Sequence, residues 1–118
     1  MRKQLNEGSE MKMDNLVYDY LRLIDVKVVV VQISDGPGVL KRGQLVDFDS
    51  EQKKYSAHVA GGTANCVVFE DTEYAESDSE IPVTVYISGD FRKSSVITDV
   101  ELDVADEENL RHVGIVLK

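Results

Sequence analysis

Val83, Val85 and Ile87 alternate with Thr84, Tyr86 and Ser88, a period-two pattern that puts one face of an extended chain into a core and the other towards water. No other feature constrains the fold more, because the pattern recurs in short segments broken by turn residues. Val26 to Ile33 is short and β-branched and reads as a strand. Ser34-Asp35-Gly36-Pro37-Gly38 then breaks the chain. Gln44 to Asp49 resumes as a strand, the polar stretch Asp49 to Lys54 turns it, and Tyr55, Ala57 and Val59 share a face of the next strand, so the pair reads as a hairpin. Gly61-Gly62 marks a further turn before a short buried strand, Cys66 to Phe69, and Gly89 ends the strand that starts near Val83. Val100, Leu102 and Val104 alternate with Glu101 and Asp103, which predicts another strand or an extended edge.

One helix is expected, N-capped by Asp106, with Glu107 and Glu108 at its positive end and Arg111 and His112 at its negative end. Gly114 is placed to stop it before a final strand, Ile115 to Leu117. Strands at turn spacings of about 8 to 12 residues with a single helix predict a small mainly-β domain. The domain is expected over residues 25–118, preceded by an N-terminal arm, residues 1–24, that is largely disordered or dependent on a partner. Met1 to Asn15 buries too little to offset its ordering entropy. Leu16 to Ile24 fits either one helical face or a poor alternation.

At 118 residues the chain allows one domain, and its net charge of −9 opposes nucleic acid, whose binders cluster Lys and Arg against phosphates. The same charge disfavours an anionic membrane. The longest apolar run, Val28 to Val31, is far short of the roughly 20 residues of a spanning helix. Met1-Arg2-Lys3 is basic, but no apolar stretch of a signal peptide follows. These features predict a product made in the cytoplasm.

The catalytic inventory is close to empty. Asp47-Phe48-Asp49-Ser50-Glu51 starts like a calcium loop, but Gln52 occupies the glycine position and His58 that of the bidentate glutamate. The better reading is a strand end entering a polar turn. The lone cysteine, Cys66, is expected to be buried and inert rather than paired with His58 or His112. His58 is assigned to the polar face of its strand and His112 to a helix end. Glu70 to Glu80 carries six acids in eleven residues and is expected to be a solvated loop. No phosphate-cradling glycine pattern occurs. No cofactor, metal site or enzymatic activity is expected.

Taken in order, Leu40-Lys41-Arg42-Gly43-Gln44-Leu45-Val46, the apolar strand Cys66 to Phe69, the acidic loop, Val83-Thr84-Val85-Tyr86-Ile87-Ser88-Gly89-Asp90-Phe91 and Asp106-Glu107-Glu108 through Gly114-Ile115 resemble the head decoration proteins of tailed bacteriophages, the family of the phage lambda head protein D. The resemblance covers about residues 38 to 118, with Gly43, Gly89, Phe91 and Gly114 as its structural positions. Ala64-Asn65-Cys66 stands where the family often has a small Ala-x-Gly-type element, and the Val26 to Ile33 strand and the arm before it are longer. Both departures bear on subunit contacts more than on the fold.

The resemblance implies a β-clip (β-tulip) domain with a flexible arm. Such domains form homotrimers on the outside of the expanded capsid near local three-fold points, where they bind the major capsid protein and reinforce the lattice. The chain would then belong to the virion exterior. Leu16, Val17, Tyr18, Tyr20 and Leu21 carry more apolar and aromatic surface than a tail needs, and are the candidate capsid contacts. Two alternatives are an oligomeric β-clip module with another partner and, remotely, a dUTPase-like hydrolase. Val46-Asp47-Phe48-Asp49 lacks the surrounding glycines and the following tyrosine-arginine-glycine of such hydrolases.

Overall fold

In the computed structural model, which describes residues 15–118, the β-branched run after Asp25 becomes strand β1 (Asp25–Gln32). It is followed by β2 (Gly38–Leu40), β3 (Leu45–Asp49), β4 (Lys54–Ala57), β5 (Ala64–Val68), β6 (Thr72–Tyr74) and β7 (Glu80–Phe91). A 3-10 turn at Lys93–Ser95, helix α1 (Val104–His112) and β8 (Ile115–Leu117) complete the chain. The fold is mainly β with one short helix, as the alternation predicted. Residues 1–14, the greater part of the expected arm, lie outside the described residues.

The large sheet runs β1-β4-β3-β5-β7-β8, and β1 also pairs with β7. The first five strands therefore close into a ring, which leaves them no free edge in the ladder. Closure needs one parallel step, made where Val31 and Gln32 of β1 meet Tyr55 and Ser56 of β4. The other ring pairings are antiparallel. β2 and β6 form a separate two-stranded ribbon.

The burial of each strand follows from what covers its two faces. Val29 and Val31 of β1, Val46 of β3, Cys66 and Val68 of β5 and Ile81, Val83 and Val85 of β7 meet in one cluster inside the ring. The intervening residues Leu45, Val67 and Tyr86 meet Leu110 of α1 and Ile115 of β8 in a second cluster on the outside. β3, β5 and the second half of β7 are thus covered on both faces, which is why Cys66-Val67-Val68 is continuously apolar. β1 has no such cover: its alternate valines, Val26, Val28 and Val30, are exposed.

β7 runs past Gly89 rather than ending there. Gly89 has φ +136°, and a Cβ on it would press within 3.1 Å of the Phe91 ring. Only glycine lets the strand change course here and drop Phe91 into the outer cluster. The last residues of β7 then pair in parallel with β8, Gly89 opposite Ile115 and Phe91 opposite Leu117. On its other side Phe91 bridges to Val17. Gly43 and Gly114 occupy turns with positive φ, ahead of β3 and between α1 and β8.

Four further expectations are corrected. Leu16 and Val17, assigned to a partner-dependent arm, are 3% exposed and belong to the outer cluster; the domain begins at or before Leu16 rather than at residue 25. The cause is long-range, since Phe91 supplies the strand against which they lie. The stretch Val100 to Val104 forms no strand, and Val104 opens α1. The N-cap of α1 is Asp103, whose side chain accepts from Asp106 N–H while Asp106 accepts from Asp103 N–H. Two acids three residues apart satisfy each other reciprocally, so Asp106 closes the capping box from the third helical position. Finally, the acidic stretch Glu70 to Glu80 is not wholly a solvated loop, because Thr72–Tyr74 is β6 and pairs with β2.

Candidate functional site

The chain from Tyr18 to Val30 places large apolar side chains in solvent one after another. Val17 and Tyr18 are held to the end of β7, with Tyr18 N–H donating to Asp90 O (2.9 Å) and Arg92 N–H to Leu16 O (2.7 Å). Asp19 then forms a tight turn: its side chain accepts from Leu21 N–H (2.9 Å) and its carbonyl from Arg22 N–H (3.3 Å). That turn projects Leu21 outward at 97% exposure, with Leu23 at 78%. Ile24 turns back against the outer cluster. The run continues along the uncovered face of β1, where Val28 is 63% exposed and lies opposite Thr84, with Val30 opposite Pro82. Isolated exposed apolar residues are ordinary, but a run of them along one segment marks a surface that meets something.

The base of this run is braced by charge. Arg92 stacks over the Tyr18 ring (5.0 Å to the centroid) and Lys118 Nζ approaches it at 5.5 Å. Arg22 and Lys118 both reach the buried Asp90 Oδ2, at 3.3 and 3.8 Å. Tyr18 is thereby fixed in direction while half its surface stays open.

Of the five candidate contact residues, Tyr18, Tyr20 and Leu21 are therefore displayed, and Leu16 and Val17 are spent on the domain's own core. Leu23, Val26, Val28 and Val30 belong to the same displayed run but were not among the candidates. Their signal was present, because a strand with valine on both faces next to a covered core has one face left over.

The residues weighed for chemistry are occupied otherwise. Asp49 caps its own turn, accepting from Glu51 and Gln52 N–H. Asp71 accepts from Arg42 N–H and Asp78 from Ala75 N–H. Among the described residues no group of three or more His, Cys, Asp or Glu is placed to hold a metal ion. Cys66 is buried inside the ring, where loss of hydration pushes its thiol up to about 12, against a pull down from Lys27 and with a lesser push from Asp47. Native protein at pH 8 is accordingly expected to resist a disulfide reagent for hours, whereas denatured protein should react within minutes. Rapid labelling of the folded chain would contradict this placement.

His58 is the main departure from expectation. It was assigned to a polar strand face, yet it is almost fully buried. Its Nδ1 lies 2.6 Å from Asp47 Oδ1 on β3 and its Nε2 3.3 Å from Asp106 Oδ2 on α1. Asp47 Oδ2 also accepts from Val59 N–H (3.0 Å). The ring lies sealed between two carboxylates, and a side chain 1% exposed reaches no substrate.

Comparison with protein-family models and with curated proteins found no match. Among the described residues no helix is long and apolar enough to cross a membrane. The displayed run Tyr18 to Val30 is therefore the candidate functional surface.

Proposed function

We propose that this chain is a structural virion protein, a head decoration subunit that trimerises on the outside of the expanded capsid at local three-fold sites and reinforces the coat lattice. The observation that carries the reading is the apolar run from Tyr18 to Val30, displayed on a domain whose two cores are already complete. The ordered resemblance of residues 38 to 118 to that family supports it further.

Multivalency supplies the energetics. A trimer touching three coat subunits gains avidity without any single strong contact, and a closed three-fold arrangement stops decoration at one layer. Preference for the expanded shell stabilises that state by mass action.

The double variant Leu21→Asp, Val28→Thr tests the surface. Both side chains point into solvent, so thermal stability should change by no more than about 0.5 kcal/mol for each. Loss of two central apolar anchors should weaken pelleting with shells of the chain's own major capsid protein by about 30-fold or more. Unchanged pelleting by a folded variant would remove this surface from the interface. Truncation of the whole arm to Tyr20 would not serve as the test, since it would also strip Leu16 and Val17 from the core.

A further inference from the structure

Every strand of the ring has a neighbour on each side, but β1 outruns one of them. It pairs with β7 from Asp25 to Gln32, whereas β4 meets it only at Val31 and Gln32. The direction of the unshared backbone follows from the alternation of an antiparallel ladder. Just beyond β1, Ile33 N–H donates to Ser79 O (2.8 Å) in the same register, so Val31, Val29 and Lys27 exchange hydrogen bonds with β7. Val30, Val28 and Val26 turn their N–H and C=O groups away from it. Two details agree with this phase. Pro82, opposite Val30, has no N–H to give, and the carbonyl of Thr84, opposite Val28, accepts instead from Phe69 N–H (2.9 Å) on the β5 side. Among the described residues Val26 and Val28 therefore present backbone donors and acceptors with no ladder partner, and their side chains are exposed as well. An open strand margin of this kind is a template for one more strand.

The charges beside this margin narrow what can fill it. Lys27 alternates with Val26 and Val28 and is exposed, since β4 stops short of it. Lys53 and Lys54 lead into β4 where it first meets β1, and are exposed too. These three cations outnumber Asp25, the single acid of β1, on a chain whose net charge is −9. We propose that the open margin of β1 accepts an extended segment of a partner protein as an added strand, with β-branched residues at alternate positions and acids between them. The β-branched residues lie beside Val26 and Val28 on the outer face, and the acids lie beside Lys27. Backbone hydrogen bonds supply the affinity and the alternation supplies the selection. The inference deepens the proposed function, and rests on it only in taking the run from Tyr18 to Val30 as an interface.

The test is amide hydrogen exchange of the full chain by NMR, alone and with synthetic ten-residue peptides. In dilute protein the Val26 and Val28 amides should exchange at least about tenfold faster than those of Lys27 and Val29, after correction for intrinsic rates. A peptide of alternating valine and glutamate, added at about ten times its dissociation constant, should slow the two exposed amides about tenfold. N-methylation of the peptide backbone should abolish that protection, and lysine in place of glutamate should weaken binding at least about tenfold. The double variant Lys27→Glu, Lys54→Glu should reverse the preference; if it does not fold, the peptide comparisons on the unmodified protein decide alone. Val26 and Val28 amides already as protected as their neighbours would overturn the proposal, as would no slowing at about 5 mM peptide or equal binding of the methylated or lysine peptides. Protection that grows with protein concentration alone would assign the margin to a second copy and overturn it too. The peptides need no shell, so their failure and a failure to pellet with shells are read separately.

Discussion

Phe91→Ala is expected to cost about 3–5 kcal/mol and, for a chain of this size, to lower the melting temperature by roughly 12–20 °C. Phe91 is completely buried, its ring 4.9 Å from that of Tyr86, and its backbone carries β8 on one side and Val17 on the other. Truncation removes the side chain around which the outer cluster is assembled, and neighbours fixed by two backbone ladders have little room to collapse into the gap. The effect should also be local. The amide of Tyr18, which donates to Asp90 O, should lose more hydrogen-exchange protection than amides on the β3–β4 hairpin. Urea unfolding with a loss below about 1.5 kcal/mol, or uniform loosening of both regions, would contradict this account of the core.

Gly62→Ala is expected to have a comparable effect by a different route. A Cβ at Gly62 would overlap Asp47 Oδ2 and lie 2.8 Å from its Cγ, so Asp47 must move away from both His58 and Val59 N–H. Displacing a buried acid from its hydrogen-bond partners leaves each of them unsatisfied, at a cost of about 1–3 kcal/mol per group. Gly61 is the control. It stands one residue earlier with open space around its Cβ position but φ +82°, so Gly61→Ala should cost only the strain of that backbone, about 1 kcal/mol. Equal losses at the two glycines would mean that Asp47 is not confined as described.

The alternating strand at Val83 to Ser88 was legible because its neighbours on each side obey the same period. Its extent was not, since a glycine normally read as a strand end here sits inside the strand with an unusual φ. The position of α1 was legible to within three residues. Asp103 and Asp106 are both acids at capping-box spacing, and only the register of the helix decides which is the cap. His58 was misplaced because its second partner, Asp106, lies 48 positions further along the chain and its burial depends on where α1 docks. Leu16 and Val17 were ambiguous for the same reason: their local periodicity is weak, and Phe91, distant in sequence, gives them a strand to lie against. The uncovered face of β1 could have been inferred, because Val28 to Val31 offers apolar side chains to both faces of a strand, and only one face can point into the ring.

The proposed decoration role is tested most directly by co-sedimenting the purified protein with compact and with expanded shells of the major capsid protein proposed as its partner. Saturable pelleting with expanded shells, at one copy per coat subunit, and none with compact ones is the expected result. Failure to pellet with either form would contradict it, and would leave the run from Tyr18 to Val30 as the interface of an oligomeric module with a different partner.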